Sequence, residues 1–159
     1  MKEFISQMQK YAEQGYSDDE ILDIMNLSGP NTFKRVTWRQ SEIDTEADFP
    51  AYETQQSFLR ESRTHYGKPG SVRLDLYKEG KSIEVKNYNL STSSGRNSLA
   101  RNIQKQYFQR VQHLPSGTTQ TILLDIRGQR LKVADLGALY YDIMKRTNGG
   151  IGMIQVKVR

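Results

Sequence analysis

The sequence predicts an α/β domain, a mixed sheet flanked by helices, on three observations. Residues 72–77 and 82–88 alternate apolar and polar side chains on either side of Lys78-Glu79-Gly80-Lys81, the pattern of a β-hairpin. Residues 120–127 form a nearly continuous apolar run, as in a strand covered on both faces. Between them lies a helical pattern, so residues 82–127 read as a strand–helix–strand crossover joining parallel strands.

Taken in order, residues 2–14 read as a helix, with Phe4, Ile5, Met8 and Tyr11 at helical spacing and Gly15 as its stop. Ser17-Asp18-Asp19-Glu20 is a capping box opening a second helix to Leu27, and Ser28-Gly29-Pro30 ends it. Residues 1–30 thus form a helical hairpin appendage with too little apolar surface to stand alone. Residues 31–48 read as a linker or basic arm. Thr32 to Arg39 could be a short strand or an aromatic, basic segment, with Trp38, the sole tryptophan, plugging the core. Ser41 to Asp48 is acidic and linker-like.

The main domain then spans residues 49–159. A helix is expected from near Pro50 to about Tyr66, with a stripe through Tyr52, Gln55 or Gln56, Leu59 and Ser62 or Arg63. The central hairpin follows, then a Ser/Gly/Asn-rich loop over residues 89–97. Ser98 caps a helix to about Leu114, its core stripe running through Leu99, Ile103, Tyr107, Val111 and Leu114. Its other side carries Arg101, Lys105, Gln106, Gln109 and Arg110. The apolar strand, a helix over about 133–146 and a last strand over 153–158 complete the chain.

Composition narrows the chemistry. With 159 residues the chain is one domain, and no apolar run approaches the roughly 18 residues of a membrane-spanning helix. The start carries an acid and no apolar stretch, unlike a signal peptide. There is no cysteine, so disulfides and thiolate metal sites are excluded, and two histidines, His65 and His113, disfavour a histidine-built zinc site. A net charge of +5 points to a polyanionic partner.

The hairpin carries the candidate chemistry. If its apolar sides share a core, Asp75, Glu84 and Lys86 lie together on the opposite surface. Two carboxylates, with the Val85 carbonyl, suit a hard divalent cation, and Lys86 can hold or deprotonate an attacking water. The bland alternative is a solvated strand face on which Glu84 pairs with Lys86 or Arg73.

Asp75, a turn, then Glu84-Val85-Lys86 resembles the PD-(D/E)XK nuclease motif, and an α-β-β-α-β order over about residues 50–127 resembles that family's restriction-endonuclease-like core. Gly70 to Tyr77, Ile83 to Tyr88, Lys105-Gln106 with Arg110, His113-Leu114-Pro115 and Asp125 to Gln129 look like the nuclease domains that end bacterial polymorphic toxins. These include contact-dependent inhibition and filamentous-haemagglutinin-like proteins. Leu74 departs from the pattern, standing where these domains usually have proline.

The resemblance implies Mg²⁺- or Mn²⁺-dependent hydrolysis of a nucleic-acid phosphodiester, with Asp75 and Glu84 as ligands and Lys86 as catalytic lysine. It also implies secretion within a larger bacterial protein, action in the target-cell cytoplasm and a cognate immunity protein as partner. Many members add a glutamate from the first core helix, here Glu53 or Glu61. Asp75 sits roughly 15 Å into its strand, and a helix covers that in about ten residues, which favours Glu53.

Gln106 and Arg110, one turn apart, could orient the scissile phosphate or the metal's water, or simply edge the helix. Arg73, Lys68, Arg96, Arg101, Lys105 and Arg110 could track a backbone. Tyr88 reads as a base-stacking ring or as packing. DNA is slightly favoured over tRNA as substrate. A non-catalytic nucleic-acid-binding module and a protein-interaction domain are the rivals from other classes.

Overall fold

In the computed structural model, residues 9–15, 17 and 35–158 are described. The expected N-terminal helical hairpin therefore lies largely outside the described residues. Of it, residues 9–13 are helical, Gly15 takes φ +89° just beyond them, and Tyr11 packs against the core.

The first full element is a helix, α1 (Trp38–Asp48), where the sequence reads as a linker. Thr37 starts it, accepting a hydrogen bond from the Gln40 N–H at 3.1 Å. Its buried positions are Ser41 and Thr45, four residues apart, so no apolar stripe marks it. The inward face is held instead by hydroxyl bonds, Ser41 Oγ donating to Asp125 at 2.7 Å and accepting from Asn87 Nδ2 at 2.9 Å. Trp38 is 65% exposed and plugs no core.

The helix expected over 50–66 is also absent. Its place is taken by β1 (Glu53–Leu59) and β2 (Ser62–Thr64), paired antiparallel with Leu59 opposite Ser62. Phe58 is 2% exposed and packs on Tyr77 with ring centroids 4.7 Å apart, while the would-be helical stripe is mostly polar. The two-residue turn has Arg60 at φ 47° and Glu61 at φ 70°, the positive angles of a type I′ hairpin without its usual Asn-Gly. It is docked on the end of a later helix: Glu61 N–H donates to the His113 carbonyl at 2.9 Å and Arg60 N–H to His113 Nδ1 at 3.1 Å. Arg60→Gly should relieve the left-handed backbone and raise stability by about 0.5–1 kcal/mol, read as a higher urea midpoint at unchanged slope.

The remaining elements follow the sequence closely. They are β3 (Val72–Lys78), β4 (Lys81–Lys86), α2 (Ser93–His113), β5 (Thr119–Asp125), α3 (Val133–Arg146) and β6 (Ile151–Lys157). One difference is that α2 begins at Thr92 rather than Ser98, the Thr92 hydroxyl accepting from Gly95 N–H at 3.0 Å. A side chain at Gly95 would meet the Asn89 carbonyl oxygen at 1.8 Å, so this entry requires glycine.

The strands form one six-stranded mixed sheet ordered β2-β1-β3-β4-β5-β6. It is antiparallel as far as β4 and parallel from β4 to β6. Helices α2 and α3 cover one face, where Leu99, Ile103, Leu136 and Ile143 meet Ile122, Leu124 and Ile154. On the other face Leu76, Ile83 and Leu123 pack beneath Phe49 and Tyr52. Successive residues of β5 therefore feed opposite layers, as its apolar run requires, each buried Leu or Ile worth roughly 1.5–3 kcal/mol. No helix among the described residues is long and apolar enough to cross a membrane.

Candidate active site at the β3–β4 junction

The antiparallel pairing of β3 with β4 runs through Lys78↔Lys81, Tyr77↔Ser82 and Leu76↔Ile83. Beyond it, side chains take over from the backbone. Glu84 Oε1 accepts the Asp75 N–H at 3.2 Å, and Asp75 Oδ2 accepts the Val85 N–H at 2.9 Å. On the other side of β4, Glu84 is in register with Ile122 and Lys86 with Leu124, which places both beneath α2.

The expected open surface is thus roofed over. Glu84 is 5% and Lys86 7% exposed. An inward stripe of α2 at four-residue spacing, Asn102, Gln106 and Arg110, supplies polar partners for them. Lys86 Nζ donates to Asn102 Oδ1 at 2.7 Å and to Gln106 Oε1. The Arg110 guanidinium, 5% exposed, bonds Glu84 Oε1 at 2.8 Å, Gln106 Oε1 at 3.1 Å and the Arg73 carbonyl at 3.0 Å. Arg110 and Gln106 therefore position Glu84 and Lys86, and Arg110 is too deep to follow a nucleic-acid backbone. Val111, expected in the core stripe, is 55% exposed because the helix turns this polar edge inward.

Burial drives the titration of both groups. It pushes the Glu84 carboxyl up to about 8 against the pull of Arg110, and Asp75 adds to the rise. Burial also lowers the Lys86 ammonium from its usual range, with Arg110 reinforcing the shift and the carboxylates Glu84 and Asp75 opposing it.

Asp75 is half-buried and opens the site to solvent through a cavity of about 60 Å³. Around it stand Glu42 and Glu46 of α1, Gln55, Tyr66 and Val85. Burial raises the Glu42 pKa, and the nearby Asp75 and Glu46 add to it while Arg39 opposes. Gln55 faces Asp75 where the β1–β3 register skips from Thr54↔Leu76 to Gln56↔Leu74, and it has φ 53°. These side chains escape the sequence reading because α1 itself does. Asn102 was legible, one turn before Gln106.

Glu53, the expected third carboxylate, lies elsewhere. It is exposed on β1 and paired with Arg63 at 2.9 Å, because its segment is a strand and not a helix. Glu61 sits in the type I′ turn and accepts the Ser116 N–H at 3.0 Å. Arg73, Lys68, Arg101 and Lys105 are exposed, whereas Arg96 is partly buried and bonds the Leu90 carbonyl at 2.9 Å and Asp135 at 3.5 Å. Tyr88 packs against the core.

A second buried carboxylate fixes α1 over the sheet. Asp125, 2% exposed, binds Ser41 of α1 and Arg127, whose Nη1 reaches Asp44 of α1 at 2.7 Å. Burial alone would raise Asp125, but the hydrogen bonds from Arg127 and Ser41 outweigh it and hold its pKa below the ordinary carboxylate value. This contribution to stability is complete above pH about 4 and disappears as pH falls through the lower folded value. The melting temperature should therefore fall more steeply below pH 4 in the native protein than in Asp125→Asn, the two curves converging in acid.

The ionisable side chains nearest Asp75 are carboxylates, Glu42 and Glu46 across the cavity and Glu84 on the neighbouring strand, so any ligand atoms they offer are oxygens. Carboxylate oxygens in a poorly solvated site are the ligand type that a hard divalent cation takes, and such an ion would offset the cost of burying the Glu84 charge. Among the described residues no group of three or more His, Cys, Asp or Glu side chains is placed so that it could hold a metal ion. Compared with models of protein families, curated proteins and solved structures, the chain matches none.

Proposed function

We propose that the chain is a metal-dependent nuclease that hydrolyses a nucleic-acid phosphodiester at the β3–β4 junction. The observation that carries this reading is the convergence of Asp75, Glu84 and Lys86, with burial moving Glu84 up and Lys86 down. Titratable groups shifted by burial together with specific charged partners are candidates for a functional site. The PD-(D/E)XK resemblance supports the same assignment. The first helix of its α-β-β-α-β order is then α1, with the β1–β2 hairpin inserted after it.

Asp75 and Glu84 would hold the cation, with the Val85 carbonyl and Glu42 of α1 completing the oxygen set in the role expected of Glu53. When bound, the cation supplies Lewis acidity and a water of lowered pKa. Lys86, steered by Asn102 and Gln106, holds that water's proton and balances charge on the phosphate. Arg110 keeps Glu84 aimed at Asp75. The resemblance further supports a toxin role, as the end of a larger secreted bacterial protein acting in a target cell's cytoplasm and blocked by an immunity protein.

Incubating the protein with plasmid DNA and with total RNA, each with Mg²⁺, with Mn²⁺ or in excess EDTA, tests this reading. Cleavage is expected only in the metal arms. Undiminished cleavage in EDTA, or none in any arm, rejects it.

A further inference from the structure

We infer that Trp38 and Tyr66 are stacking surfaces for unpaired bases at the mouth of the Asp75 cavity, so that the substrate is single-stranded nucleic acid. This rests on the nuclease reading and names its substrate class. Trp38 is 65% exposed and Tyr66 50%, although both rings carry large apolar faces. Tyr66 lines the cavity beside Gln55. Trp38 lies one turn before Glu42 on α1, on the helix stripe that continues through Glu42 and Glu46, both of which line the same cavity. Helical side chains lean toward the N-terminus, which tips Glu42 toward Trp38.

The cavity, at about 60 Å³, is too small to take a nucleoside. The bases flanking a phosphate seated there must lie outside it, toward Tyr66 and toward the α1 stripe that begins at Trp38. Bases in a duplex have their faces covered by their neighbours, whereas unpaired bases offer them. Each ring also has an exposed cation close by in sequence, Arg39 beside Trp38 and Lys68 two residues after Tyr66. Arg39 is near enough to act on the Glu42 carboxyl. Aromatic faces interleaved with cations along a groove suit single strands of mixed sequence.

Trp38 is the sole tryptophan, so emission excited beyond the absorption band of the nine tyrosines reports on this position alone. Asp75→Asn protein, which blocks cleavage, is titrated with a single-stranded oligonucleotide and with the same sequence as a blunt duplex. The single strand should quench Trp38 at a concentration at least about tenfold lower than the duplex. In otherwise native protein, Trp38→Ala and Tyr66→Ala should each weaken single-strand cleavage about tenfold, mainly through KM, without lowering the melting temperature. Equal quenching by both polymers, cleavage without quenching, or cleavage indifferent to both alanine variants overturns the inference while leaving the nuclease intact. Selective quenching by the single strand, without cleavage by native protein in any metal, supports the stacking surface and defeats only the nuclease reading.

Discussion

Glu84→Gln is expected to reduce phosphodiester cleavage by about 10²- to 10⁴-fold while leaving the fold in place. The amide keeps the carboxyl's shape, and its oxygen can still accept from the Asp75 N–H and the Arg110 guanidinium, the two bonds that Glu84 Oε1 makes. What it loses is the negative charge that would hold a divalent cation opposite Asp75. Lys86→Ala should be comparably inactive for a different reason: it removes the group that, in the proposed reaction, would handle the water's proton, and leaves Asn102 Oδ1 without its donor. Initial rates on the best substrate from the metal panel, paired with near-ultraviolet circular dichroism, separate lost chemistry from lost structure. Native-level cleavage by either folded variant would sink the assignment.

Arg110→Ala should produce the largest loss of stability. The guanidinium is 5% exposed and bridges Glu84, Gln106 and the backbone of Arg73, so its removal leaves a buried acid without its cation and the Arg73 carbonyl without this donor, while Gln106 keeps only Lys86. Breaking a buried pair from one side costs about 3–5 kcal/mol, which in a domain of this size lowers the melting temperature by about 10 °C. Arg110→Lys should recover only part of this, because a single ammonium lacks the planar fork that reaches three acceptors. A melting temperature unchanged in Arg110→Ala, with weaker nucleic-acid binding, would return Arg110 to the phosphate-contacting role that its sequence position suggests.

The contrast between two helices shows where the sequence was legible. Residues 133–146 carry Val133, Leu136, Leu139 and Ile143 on one side, and the observed α3 has the expected bounds. Helix α1 buries only serine and threonine, and its anchor to Asp125 is a contact across 84 residues that no local pattern carries. With the helix at Trp38–Asp48, residues 50–66 are not helical and the glutamate beside Asp75 is Glu42 rather than Glu53. The Thr37-x-x-Gln40 start was visible, but it preceded a stretch with no apolar face. The β1–β2 turn failed for a related reason, since Arg60-Glu61 lacks turn chemistry and is held by His113 from another element. The hairpin with Asp75, Glu84 and Lys86 was legible because strand alternation is local, and so was Gln106. That α2 would roof these residues followed from how the helix crosses the sheet, which the spacing of its charges did not reveal.

Two amides at the parting of β3 and β4 acquire a use of their own. The N–H groups of Asp75 and Val85 donate to the very carboxylates that a cation would claim. Their proton resonances and exchange rates are therefore an internal gauge of occupancy: titrating an ion into labelled protein would be heard first at these two positions, before any substrate is added.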